Sequence, residues 1–426
     1  MTNRRPLPGP IASLLAARDT RRMTAIGEPY ATDLDRAVAA VPLLRHALRA
    51  EQDTGTGPPV GWFTDQVVGQ IAELLRAPAQ AWQGELCGSL TDATIRTLLP
   101  LRHAQPGTVL YRSTAAHPHV AEAAHVLGLD TVVVAADQRG VLNPSQLVAE
   151  IRQRRPSAAV VVATLGTPAT GAHDDVAAIR AAAEGLPIRV HLHVDAPLEG
   201  LALAARAAPQ TPAGFDAGAD SVVVAGDQFL PVPLPCAVAV RRSPGPTAVR
   251  APVPITPVIP ASPADPATGH RRWSGCGSGH AAVLLWQTLQ EYGVDGLARR
   301  ARRSDALAGY TLRRLHELRW PGWRHPGSMT VLLQPSSALL LRRWSLPVEA
   351  GWARIVCVPG VTEAHIDRFI TELSHEPPPV PVAASVALTP SPDRDLDHNE
   401  ARPPGVAADT DVVAPIAVDR APSRAA

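Results

Sequence analysis

Through the middle of the chain, short runs of β-branched and other apolar residues alternate with stretches whose apolar positions recur every three or four residues. Strand-like runs fall at 108–111, 131–134, 158–164, 188–194, 221–225 and 236–240, with helical patterns at 118–127, 144–154 and 174–184 between them. A strand covered on both faces reads as a continuous apolar run, and the helices that join parallel strands supply the cover. The order therefore predicts an α/β domain with a mostly parallel sheet and ligands outside the carboxyl ends of its strands.

The flanks read differently. Leu34, Val38, Val41, Leu44 and Leu48 predict a helix over 34–49 inside a lead-in segment or dimer arm, residues 1–55. Helical spacing resumes from Gly61 (Phe63, Val67, Val68, Ile71, Leu74, Leu75) and again over 91–101, after Gly88 and Ser89. A Pro-rich stretch at 251–266 occupies the place of a long active-site loop, and helices are expected at 279–291 and 304–317. Strands at 330–333 and 354–358 and a helix at 362–373 then predict a small α+β unit. The division expected is a large domain over 56–295, a small one over 296–375 and a Pro/Ala-rich disordered tail over 376–426, where no periodicity could offset the entropy of ordering.

With 426 residues, 46% of them hydrophobic, the chain can bury a large core. A formal charge of +1 provides no field to attract nucleic acid or an anionic membrane. Cys87, Cys236, Cys276 and Cys357 are widely separated, with no paired spacing for zinc or a disulfide framework, and no apolar leader or membrane-length run is read. These features predict a cytoplasmic protein. One absence matters more: all 40 basic side chains are arginine, and no lysine occurs in the sequence.

Three ordered segments carry a specific resemblance. "VVATLGTPATGAHDDVAAI" (161–179), "HLHVDAPLEG" (191–200) and "DSVVVAGDQFLPVPLPCAVAV" (220–240) resemble the adjacent signature segments of the group II pyridoxal-phosphate amino-acid decarboxylases, bacterial histidine decarboxylases in particular. "YRSTAAHPHVAEAAHVLGLDTVVV", "WSGCGSGHAAVLLW" and "WPGWRHPGSMTV" extend the match over roughly residues 25–373. The resemblance implies a PLP-dependent transferase-like large domain of aminotransferase fold type I with a small C-terminal α+β domain, assembled as a homodimer with its sites at the subunit interface.

It also implies roles. His117 matches the histidine stacked on the cofactor ring, Asp195 the aspartate that pairs with the pyridine nitrogen, and Thr167 a hydroxyl near the cofactor. A carboxylate beside that nitrogen keeps it protonated and lets the ring accept electrons. Where the family reads Ser-Gly-His-Lys, this chain has Ala225, Gly226, Asp227 and Gln228, so the Schiff-base lysine is replaced by an amide that cannot condense with an aldehyde. The phosphate-binding turn appears as Gly88, Ser89, Leu90, Thr91, Asp92, Ala93 and Thr94, and Gly277 stands where an arginine is usual. Ser89, Thr91 and Asp92 open a helix whose N–H groups favour an anion, while Leu90 and Ala225 remove a glycine and a hydroxyl.

The expectation is a decarboxylase homologue without decarboxylase activity, holding no covalent cofactor. It would act by binding a small amino-acid-like ligand or, as a heterodimer, an active paralogue. The alternative is an enzyme that reuses the cofactor pocket without a Schiff base, with Asp227, Asp195 and His117 as acid/base groups. His191, His193 and Asp195 alternate along one strand and could suggest a metal, but the family accounts for His193 and Asp195 without one, and no metal site is expected. Arg299, Arg300, Arg302 and Arg303 read as a solvated helix face.

Overall fold

The computed structural model describes residues 24–33, 60–79, 81–206, 214–243 and 279–377. The expected helix at 34–49, the Pro-rich stretch at 251–266, Gly277 and nearly all of the expected tail lie outside the described residues.

Seven strands form the main sheet in the order β1 (Trp82–Cys87), β7 (Ala237–Arg242), β6 (Ser221–Ala225), β5 (Arg189–Asp195), β4 (Ala158–Thr164), β2 (Thr108–Ser113), β3 (Asp130–Val134). Only β7 runs against its neighbours, and β6, β5, β4, β2 and β3 pair in parallel. The apolar runs seen in the sequence are the central strands, and their two-residue repeat feeds two cores. Val161, Ala163, Leu192, Val194, Val222 and Val224 join one face, whereas Leu110, Val160 and Val162 join the other.

That second face is covered by α2 (Leu90–Ala104) and α3 (Pro118–Leu127), through Leu98, Val120 and Ala124. α3 is delimited by a His117 cap and Pro118 at its start and by Gly128 in the left-handed region, φ 62°, at its end. The first face carries α1 (Val60–Leu74), which packs on α7 (Gly279–Glu317), together with α6 (Glu199–Ala205). α4 (Pro144–Arg154) and α5 (Val176–Glu184) complete the crossovers, capped by Asn143 and Asp175.

The two helices expected at 279–291 and 304–317 are one long element broken at Gly293, whose φ of 56° and ψ of −179° interrupt the ladder. Its second half packs on a four-stranded antiparallel sheet in the order β10 (Val348–Glu349), β11 (Trp352–Val356), β9 (Thr330–Leu333), β8 (Gly322–Trp323). α8 (Ala338–Arg343) and α9 (Glu363–Leu373) finish this smaller layer, whose core gathers Leu315, Trp320, Val331, Trp344, Ile355 and Phe369.

Arg300 departs from the solvated face expected of its helix. It is buried, its guanidinium bonds both Asp33 oxygens at 2.5 and 2.6 Å, and Nε donates to Phe229 O at 3.0 Å. The segment 24–33 is thereby tied down, with Ala31 N donating to Gln228 O at 2.7 Å and Thr32 N to Pro359 O at 3.0 Å. One-sided periodicity could not reveal a partner lying 267 residues away.

Candidate functional site

Asp195 ends β5 opposite Thr164 of β4 and Val223 of β6. Since Leu192 and Val194 enter the first core, His191, His193 and Asp195 share the face covered by α2 and α3. His193 and Asp195 have no solvent exposure. Among the described residues no hydrogen bond reaches either Asp195 oxygen, an expensive state for a buried carboxylate. Among the described residues it is approached by His119 of α3, whose Nε2 stands 3.4 Å from Oδ1.

His119 is in turn coupled to His117. Nδ1 of His117 caps α3 by accepting from the His119 backbone N–H at 3.1 Å, and His119 Nδ1 lies 2.9 Å from the same nitrogen. An Nδ1 that accepts a backbone N–H has no proton of its own, so His119 Nδ1–H is the donor and a neutral His117 carries its proton on Nε2. The rings are 4.8 Å apart and tilted by 40°. Burial opposes a charge on His119, but the facing Asp195 carboxylate outweighs it and raises the imidazole above its ordinary range. At His117, burial and then the neighbouring His119 charge act downward together.

Beneath Asp195, His193 Nδ1 and His191 Nε2 meet at Ser221 Oγ, at 2.8 and 2.7 Å. Burial pushes these imidazoles down to about 4 and about 3, so both are neutral near pH 7. Among the described residues no group of three metal-ligating side chains is assembled.

The other expected site residues are largely engaged in local structure. Ser89 caps α2, its hydroxyl accepting from Asp92 N at 3.1 Å. Thr91 follows, half-buried, and the Asp92 carboxylate takes Arg96 Nε at 2.7 Å. A carboxylate in the first turn offsets the attraction of that helix end for a second anion. Thr167 is buried within its own turn, with its hydroxyl accepting from Ala172 N at 2.9 Å and lying 3.0 Å from Thr170 Oγ1. Ala225 is buried, and its N–H donates to Pro197 O at 3.1 Å. Asp227 and Gln228 are half-buried in the turn after β6, where Gly226 passes so close to Cys236 that a Cβ would stand 2.5 Å from its sulfur. Burial, above all, raises the Asp227 carboxyl, and the charges it influences are Tyr30 and Cys236.

The structure therefore brings His117 and Asp195 together through His119, two residues along from His117. It also shows a network the sequence did not suggest. Glu199, buried at the start of α6, pairs with His173, accepts from Ser328 Oγ at 2.8 Å and accepts from Met329 N at 3.0 Å. Burial lowers His173 and Glu199 raises it, with the rise prevailing. Nearby Asp174, pushed up to about 6 by burial, accepts from Leu142 N and Thr164 N at 2.7 and 2.8 Å.

The family model for the pyridoxal-dependent decarboxylase conserved domain matches residues 103–319. A histidine decarboxylase of Mesorhizobium japonicum is 27% identical over 314 residues, 74% of this chain and 82% of the relative. Serine decarboxylase 1 of Oryza sativa is 28% identical over 318 residues, 74% and 64% of the two chains. Among solved structures, L-methionine decarboxylase from Streptomyces sp. 590 superposes with a TM-score of 0.70 at 19% identity, covering 86% of this chain and 94% of that one. Lactobacillus brevis glutamate decarboxylase gives 0.68 at 17%, covering 88% and 93%. The architecture is aminotransferase fold type I, as the resemblance implied.

Pyridoxal phosphate is the cofactor of this family. Judged by donor chemistry, the residues present suit it at one end only. Asp195, buried and short of donors, suits a protonated ring nitrogen. At the aldehyde end the sequence supplies no lysine, and at the phosphate end Ser89 is committed to its cap and Asp92 adds a negative charge. As a whole the site does not fit the group.

Proposed function

We propose, for a chain that belongs to the pyridoxal-dependent decarboxylase family, a role without decarboxylation: it holds no cofactor covalently and acts by binding. Its occupant is a small amino-acid-like ligand or an active paralogue, within a dimer of the family type and in a reducing cytoplasm. One observation carries this reading, the absence of lysine from all 426 residues, including the Gln228 position where the family's motif places the Schiff-base amine. The phosphate end supports it, because each charge-assisted bond lost there forgoes roughly 1.5–3 kcal/mol of noncovalent affinity.

A second reading, acid/base chemistry in the old pocket, draws on the line from His117 through His119 to the buried Asp195. It is the weaker of the two, because the His117 Nδ1 lone pair is already engaged and Asp227 belongs to another neighbourhood. Titration of the purified protein with pyridoxal phosphate, followed by visible absorbance, tests the first reading: the spectrum should remain that of free cofactor. A saturable shifted band at one cofactor per chain would overturn it.

A further inference from the structure

Asp195 is fully buried at the carboxyl end of a central strand, and among the described residues neither of its oxygens accepts a hydrogen bond. Two atoms close to it are orphaned as well, His119 Nε2 and His193 Nε2. His193 is an unsuitable counter-charge, because its Nδ1 is satisfied by Ser221 and burial pushes its imidazole down to about 4. His119 is suited by position. Its Nε2 stands 3.4 Å from Asp195 Oδ1, its Nδ1 lies 2.9 Å from His117 Nδ1, and its ring is buried beside the carboxylate. Nε2 therefore faces a carboxylate and Nδ1 a lone pair shared with the helix cap, a setting that favours an imidazolium.

We propose that His119 is the built-in cationic partner of Asp195, assuming at that carboxylate the role that a ligand's protonated ring nitrogen would otherwise fill. The inference rests on the reading that no cofactor nitrogen occupies Asp195 in the resting protein. Its consequence is selectivity. A ligand bringing a protonated nitrogen heterocycle to Asp195 must compete with an internal ion pair, whereas a neutral or anionic ligand meets a pocket already neutralised. The tautomer this imposes on His117 leaves an Nε2–H at the exposed end of the line, a donor suited to a ligand's carboxylate.

Among the described residues the titratable groups facing His119 are Glu122 and His117 on its own helix, and Asp195 and His193 on β5. The carboxylates favour its proton and the histidines oppose it, so removal of Asp195 should reverse the balance.

The test uses imidazole NMR on the full chain. His119 in the wild-type protein should titrate above the ordinary histidine value, and Asp195→Asn should drop it below. A wild-type His119 that titrates at or below the ordinary value would overturn the proposal, whatever the variants do. The second readout is binding of pyridoxamine 5′-phosphate, which carries the ring nitrogen and phosphate but no aldehyde. His119→Gln, close in volume, should bind it about tenfold more tightly than wild type, the equivalent of one recovered charge-assisted bond. Equal affinities would also overturn it. A Schiff base with pyridoxal phosphate would defeat the functional reading separately, since this probe cannot form one.

Discussion

His119 Nε2 stands 3.4 Å from Asp195 Oδ1, both side chains are buried, and neither atom has a hydrogen bond among the described residues. The stability of the folded chain should depend on pH through this pair. A histidine whose folded value is raised contributes stability that is complete below its unfolded value, about 6.5, and is lost as pH rises through the folded value. Asp195→Asn should therefore cost about 1–3 kcal/mol at pH 6 and much less at pH 9, where the wild-type carboxylate is left buried without its cation. Urea unfolding at the two pH values checks this, and equal losses at both would contradict it.

Glu199 joins the sheet layer to the smaller one, because His173 approaches from the β4–α5 connection and Ser328 and Met329 from the entry to β9. Glu199→Gln keeps an acceptor but faces His173 with an amide. We expect a loss of about 1–3 kcal/mol and a downward shift in His173 titration. An unchanged unfolding midpoint would show that the network carries no stability.

Arg300 binds Asp33 with two nitrogens while also holding Phe229 O and stacking on Tyr292, 4.9 Å from its ring centroid. Lysine offers a point charge without the planar fork. Arg300→Lys should cost about 1–2 kcal/mol, discounted because Asp33 is partly exposed, and should speed amide exchange at Ala31 and Thr32. Exchange rates equal to wild type would refute the role given to this contact.

Much of the sheet was legible because buried parallel strands are written as apolar runs: β2 to β7 fall within a residue or two of expectation. β1 was missed because Trp82–Cys87 mixes Gln83, Gly84 and Glu85 with few apolar residues, and its pairing with β7 is a tertiary fact. α6 was missed because seven residues are too short for a periodicity to declare itself. At the site, motif order located His117 and Asp195, whose nearness spans 78 residues of sequence that no local pattern connects. His119 escaped because the cap geometry that turns its ring toward β5 exists only once α3 lies on the sheet. Arg300 escaped for a similar reason, since a guanidinium on a polar stripe reads as solvated until its partner folds over it.

Restoring an amine at one position should not restore the reaction. Gln228→Lys places a lysine in the turn after β6 but leaves Asp92 at the α2 start, Ser89 in its cap and His119 against Asp195. We expect no amine product from histidine above the wild-type background. Robust B6-dependent release of carbon dioxide by this variant would show that the lysine was the sole defect.

The most direct measurement is intact-mass analysis of the wild-type chain after incubation with pyridoxal phosphate and reduction with borohydride. No side chain should carry the cofactor, because the polypeptide has no lysine to trap the aldehyde, and any reduced adduct should map to the α-amino group of the chain. A stoichiometric gain of one reduced cofactor per chain, mapped to a residue in the turn after β6 or on the α2–α3 face, would contradict the account.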